Sequence, residues 1–258
     1  MQAYGSAAGL RKIFTACALG VGLLAAGAVA TSAAAEPAAK QTAKSAAAKA
    51  KAKAKAKPVQ LATPVASPAV SGLVSGVVAS HDNGGLPFVV IDKRKAAAFV
   101  FNADGSPNGA VPVLLGYAAG DDSVPGIGKR PIEKIKPGER TTPAGRFLTS
   151  FRPNGGKKKS LWMDYDAAVA LHPLRELSRS GPREGRWQRL KSPSPADNRI
   201  TYGCINVPDA FFDEVVTPAF KQRGGIVYVL PEARTLAEVF PSLGVTEAAL
   251  VGPSTGGR

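Results

Sequence analysis

Cysteine and histidine are scarce in this chain, with two of each among 258 residues. Cys17 falls in a segment that reads as an export leader, so Cys204 is the one cysteine expected in the exported protein. A lone cysteine cannot be half of an internal disulfide. In an oxidising compartment it is a buried inert thiol, a site for intermolecular pairing, or a nucleophile. One cysteine and two separated histidines also give no metal-ligand spacing, so no metal and no other cofactor is expected. Internal repeats are lacking, which excludes a solenoid. Acidic residues are in the minority, 19 Asp/Glu against 33 Lys/Arg, for a formal net charge of +14.

That charge is unevenly placed. Residues 1–35 read as a signal peptide: Arg11 and Lys12 precede an uncharged, Ala/Gly-rich stretch, and Ala33 and Ala35 stand at the −3 and −1 positions of a cleavage site. The uncharged stretch is long enough to span a membrane, so an uncleaved anchor is the alternative. Residues 36–57 are an Ala/Lys tract with seven lysines against Glu36 alone. Such a tract cannot bury enough apolar surface to fold by itself. On an exported protein its polyanionic contacts would be envelope polymers or anionic lipids, not nucleic acid. A Pro/Val/Ser/Gly-rich stretch follows, and 36–84 together read as a disordered linker. The expected location is therefore the periplasm or cell envelope.

Residues 85–234 form the expected single domain, followed by a C-terminal helix and tail over 235–258. The domain reads as mostly β. Short apolar runs at 86–91, 96–101, 110–116, 145–151, 160–165, 167–171, 199–202 and 226–230 are punctuated by turn formers. Residues 208–217 carry a helix-spaced apolar face of Phe211, Phe212, Val215 and Val216, with Asn206 as the expected N-cap. A second short helix is expected at 235–240.

Cys204 lies in Arg199-Ile-Thr-Tyr-Gly-Cys-Ile-Asn206. A thiol attacks as thiolate, and its pKa of about 8.5 must be lowered by positive potential. With a strand before it and a helix expected just after it, Cys204 would feel the helix N-terminus. Gly203 would let the backbone approach an oxyanion closely. Cysteine acyl transfer also needs a base. His81, in Ser80-His-Asp-Asn-Gly-Gly85, reads as an exposed loop residue. His172 ends the strand-like run Asp166-Ala-Ala-Val-Ala-Leu-His172 and is the expected partner. With no Asp or Glu singled out beside it, a backbone carbonyl is expected to orient the ring.

These stretches resemble the L,D-transpeptidase (YkuD-like) catalytic domain of bacterial cell-wall enzymes. Thr142-Pro-Ala-Gly-Arg-Phe147 resembles the family's Thr-Pro-x-Gly-x-Phe strand start. Ala170-Leu-His172 resembles the strand ending in its catalytic histidine. Thr201-Tyr-Gly-Cys-Ile-Asn206 resembles its nucleophile motif, [Ser/Thr]-His-Gly-Cys-[Ile/Val]-[Arg/Asn]. Two departures stand out. Tyr202 replaces the histidine before Gly-Cys, and a phenol is no base near neutral pH. The 32-residue step from His172 to Cys204 is longer than usual and includes a basic segment around 178–195, read as a lid or a solvated insertion.

The resemblance implies a β-sandwich or barrel with one helix after the catalytic cysteine. It implies Cys204 as nucleophile and His172 as base, Gly203 and Tyr202 supporting the oxyanion region, and Asn206, Arg199 and Trp187 contacting substrate. The implied substrate is a peptidoglycan stem peptide, carried as a thioester to an amine acceptor such as a second stem, giving a 3→3 crosslink. Two alternatives stay open. One is hydrolysis of the same bond by an L,D-carboxypeptidase or amidase. The other is a peptidoglycan-binding module without activity.

Overall fold

The computed structural model describes residues 61–153, 159–174 and 185–245. The leader, Cys17, the Ala/Lys tract, part of the long loop before Cys204 and the final 13 residues lie outside the described residues.

The described residues form ten strands, eight of which share one sheet in the order β3-β2-β1-β10-β5-β6-β7-β9. Three come first in the chain: β1 (Phe88–Asp92), β2 (Ala97–Phe101) and β3 (Pro107–Pro112). The middle of the sheet is β5 (Gly145–Pro153), β6 (Lys159–Asp164) and β7 (Val169–Pro173). β9 (Ile205–Val207) and β10 (Gly225–Val229) complete it, while β4 (Leu115–Gly116) and β8 (Arg199–Thr201) pair separately. The sheet curls until its edges nearly meet. Leu114, just past β3, exchanges two backbone hydrogen bonds of 2.9 Å with Asn206 of the opposite edge strand.

Both faces of β1, β2 and β10 are covered, which is why they read as continuous apolar runs rather than alternating ones. Val89, Ile91, Ala98, Val100, Val227 and Val229 point to one core, and Phe88, Val90, Phe99, Ile226 and Tyr228 to another. The first core is closed by a helix after the cysteine, in three consecutive pieces. α3 (Asp209–Phe211) leads into a π turn (Phe212–Val216) and then α4 (Thr217–Phe220). Pro218 explains the widened turn, since it has no N–H for the regular ladder and its ring crowds the preceding turn. Phe212, Val216 and Phe220 enter the core from this helix.

The second core needs a helix that the sequence did not announce. α1 (Pro68–Ser80) lies within the stretch expected to be disordered linker, and it corrects that boundary. Val70, Leu73 and Val77, one face at helical spacing, are fully buried against the sheet. Ser67 caps it and Pro68 occupies its first turn, where the missing N–H costs nothing. Its glycine content looked like linker composition, yet Gly76 is a contact. A Cβ there would stand 2.8 Å from Val245 and 3.0 Å from the Leu243 carbonyl. His81 is its left-handed C-cap and is exposed, as expected for a loop residue. The expected C-terminal helix is present as α5 (Leu236–Val239), with Thr235 and Glu238 in a capping box.

Candidate active site

The site forms where β7 and β9 run parallel. Their register sets His172 beside Asn206 and Leu171 beside Ile205. Leu171 and Ile205 point into the core, so His172 and Asn206 share the other face. Cys204 stands two positions before Asn206. It lies just before β9, in the bend that leads into the strand.

The helix expected from 208 begins at Asp209, but Pro208 and not Asn206 caps it, and residues 205–207 are strand. A three-residue strand leaves little periodic signal, so Asn206 read as part of the helix entry. Two readings change as a result. Asn206 is no N-cap but a buried strand residue, 1% exposed. The helix N-terminus lies five residues from the sulfur, and its field falls off within one turn, so it is not what would activate the thiol.

What shapes the cysteine is a clamped bend. Gly203 has φ +126°, and a Cβ there would lie 2.8 Å from the Thr141 carbonyl oxygen. Thr201 Oγ1 donates to the Cys204 carbonyl at 2.6 Å and accepts from the Gly203 N–H at 3.2 Å. That N–H is thereby committed, which removes Gly203 as an expected oxyanion donor and leaves it a conformational role. Thr142, in the Thr-Pro-Ala-Gly run, donates from Oγ1 to the Gly203 carbonyl at 2.8 Å and accepts from the Gly116 N–H at 2.9 Å. The Cys204 Sγ lies 3.6 Å from the Ala168 carbonyl oxygen. A carbonyl only accepts, so the sulfur carries its proton in this contact.

The imidazole of His172 is oriented by a backbone carbonyl. Its Nδ1 lies 2.9 Å from the Pro173 oxygen, so Nδ1 holds the proton and Nε2 the lone pair. Asn206 Nδ2 lies 3.0 Å from that Nε2. The Asn206 Oδ1 accepts from Arg186 Nη1 at 2.8 Å. Arg186 opens α2 (Arg186–Lys191), a helix in the long segment before Cys204. Sequence reasoning passed over it as one of several basic loop residues.

The remaining expected contacts fare differently. Tyr202 stacks under Arg140, whose guanidinium carbon is 3.9 Å from the ring centre. Trp187 packs with Leu114, Leu174 and Leu190, seating α2 on the domain. Arg199 was expected to meet substrate, but its guanidinium pairs with Glu232 and also lies 3.4 Å from the Ala118 and Lys93 carbonyls. That side chain is 17% exposed, so it belongs to the scaffold.

The scaffold beneath is a buried ion network, hidden in what read as a charged turn, Asp92-Lys-Arg-Lys95. Lys93 Nζ is fully buried, 2.8 Å from Asp121, 3.3 Å from Glu232 and 3.0 Å from the Thr142 carbonyl. Burial pushes the Asp121 carboxyl up. Lys93 and the N–H groups of Arg234, Glu232 and Ala233 outweigh it and hold the group far below the usual carboxylate range. Through Thr142 this network reaches the Gly203 carbonyl, one residue from the thiol. Among the described residues no group of three or more His, Cys, Asp or Glu could hold a metal. No described helix is long and apolar enough to cross a membrane.

No family model and no curated protein matches the sequence. Among solved structures, the chain is similar to the catalytic domain of an Enterococcus faecium L,D-transpeptidase at 15% identity and TM-score 0.36, over 57% of this chain and 98% of that one. An L,D-transpeptidase from Xylanimonas cellulosilytica gives 14% identity and TM-score 0.33, over 66% and 65%. The L,D-transpeptidase LdtMt1 in complex with imipenem gives 16% identity and TM-score 0.30, over 56% and 58%. At such low scores these likenesses carry no weight for what the site does.

Proposed function

We propose that this protein is a cysteine acyltransferase that acts on peptidoglycan stem peptides. The observation that carries the proposal is the pairing of β7 with β9. It sets the His172 imidazole, its Nδ1 on the Pro173 carbonyl, beside the strand that Cys204 leads into, with the left-handed Gly203 shaping the approach. The motif resemblance in Thr142–Phe147, Ala170–His172 and Thr201–Asn206 supplies the substrate class.

In this reading, Nε2 of His172 takes the Cys204 proton as the sulfur attacks the carbonyl of the third stem residue. The Cys204 N–H faces the oxyanion. The amine of the following D-alanine leaves with the proton from the imidazolium, and a thioester remains on sulfur. An acceptor amine then attacks the thioester, His172 takes its proton, and the thiolate leaves and is reprotonated. An amine on a second stem gives a 3→3 crosslink, and water gives hydrolysis. The reading places the protein in the cell envelope, its Lys-rich segment held near anionic polymers or lipids.

Mass spectrometry of the protein with a disaccharide-tetrapeptide, with Cys204→Ala alongside, tests it. Loss of D-alanine with a crosslinked dimer, absent in the variant, is the expected result. Tripeptide alone indicates hydrolysis. Unchanged substrate with no protein adduct rejects the proposal in favour of a binding module.

A further inference from the structure

The contacts around Asn206 have a direction. Arginine can only donate, so the atom of Asn206 that meets Arg186 at 2.8 Å is its oxygen. The amide nitrogen must then face His172, and it lies 3.0 Å from Nε2. The Pro173 carbonyl can only accept, so Nδ1 carries the proton, and the amide nitrogen, 3.4 Å from Nδ1 as well, lies over the ring face rather than on the Nε2 lone pair. The contacts from Arg186 to Asn206 and from His172 to Pro173 each have one possible sense, and the amide turns its N–H side, not its oxygen, to the imidazole. Without Arg186, a half-turn of the amide would offer Oδ1 to the ring instead, which suits a protonated imidazole and opposes a neutral one.

We infer that Arg186 is a positioning residue: it fixes the Asn206 amide so that His172 rests as a neutral base, and it makes helix α2 part of the active site. This rests on the reading of His172 as the base. It also gives the long segment before Cys204 a task that neither a lid nor a solvated insertion would perform. In the resting state the thiol lies on the Ala168 carbonyl and the Asn206 amide nitrogen lies against the imidazole face. An N–H held there opposes protonation of the ring, and Arg186 sets how firmly it is held. Trp187 and Leu190 anchor the helix on Leu114 and Leu174, so the guanidinium is carried on a packed element.

Asn206 from β9 meets the ring, Arg186 from α2 meets Asn206, Ser160 from β6 stands opposite His172 by continuation of the β6–β7 register, and Cys204 lies in the bend before β9. Of these Arg186 is charged and Cys204 titrates.

The test is NMR titration of the His172 imidazole in the full-length protein with His81→Asn, so that one histidine signal remains. Arg186→Gln should raise the titration midpoint by about one pH unit, because a neighbouring cation is lost and the amide is released. Arg186→Lys, which still donates to Oδ1, should restore most of the shift. Adding Arg186→Gln to Asn206→Ala should then move the midpoint much less than in the parent, since the amide is already gone. An undiminished shift in the Asn206→Ala background assigns the effect to charge alone and overturns the positioning role, as does a midpoint unmoved in both Arg186 variants. Should Arg186→Gln not fold, the lysine variant and the asparagine background decide. Stem-peptide processing is followed separately. Unprocessed substrate with a shifted titration sinks the proposed reaction and spares the Arg186 link, and processed substrate with an unmoved titration does the reverse.

Discussion

Replacing Lys93 with Met leaves the shape of the buried site nearly intact and removes its cation. Lys93 is 0% exposed and Asp121 1%, so the carboxylate would stay in the interior with three backbone N–H donors and only the more distant Arg234 guanidinium, at 4.0 Å, for a partner charge. Breaking a buried pair from one side costs about 3–5 kcal/mol. For a domain of this size that is about 10 °C of melting temperature. The acid dependence follows from the same residue. A depressed carboxyl stabilises the fold above its unfolded pKa of about 4 and loses that contribution as pH falls through the lower folded value. Without Lys93 the folded value rises, so the loss begins at higher pH. Circular-dichroism melts of both proteins from near pH 7 to about pH 3 measure both effects. Because Thr142 hangs from Lys93 and holds the Cys204 bend, alkylation of Cys204 by iodoacetamide should slow in the variant. Adding Asp121→Leu to Lys93→Met should not restore the parent's stability, since the N–H groups of Glu232, Ala233 and Arg234 then lose their acceptor. A melting temperature within about 2 °C of the parent, with an unmoved acid transition, would refute the network's role.

Two further outcomes are expected. Gly203→Ala forces a left-handed backbone on alanine and a Cβ to 2.8 Å from the Thr141 oxygen; backbone strain of about 1–3 kcal/mol at the nucleophile should lower stem-peptide turnover at least roughly 100-fold, and turnover within a few-fold of the parent would show that the bend is not needed. Leu73→Ala should cost about 3 kcal/mol in denaturant unfolding, whereas an unchanged midpoint would return α1 to the linker.

Strands β1, β2 and β10 were legible because they are buried on both faces, and double burial writes an unbroken apolar run that needs no period to be seen. Helix α1 was hidden by its own packing: Gly76 is there to admit Val245 and Leu243, and Ser and Pro serve its cap, so the residues that dock it are those that make linkers. Its face at Val70, Leu73 and Val77 was the usable signal. Cys204 and His172 could be found because both residue types are scarce and strands place them. Arg186 and Lys93 could not, since each gains its role from contacts across the fold, and a charged side chain in a run of charged side chains carries no mark of burial. Arg199 shows the converse, a cation beside the nucleophile motif whose partner Glu232 is 33 residues away.

The order of the sheet also governs when the protein can become itself. β10, near the end of the domain, lies between β1 and β5, pairing parallel with one and antiparallel with the other. Until residues 225–229 are available, β1 and β5 are two open edges, and neither the first three strands nor the middle hairpins can join. Pairing so distant in sequence is slow to form. A chain still emerging from synthesis therefore holds an unassembled sheet and no clamped cysteine. The sheet is thus completed by its last strand, after the segment that carries Cys204 has already been made.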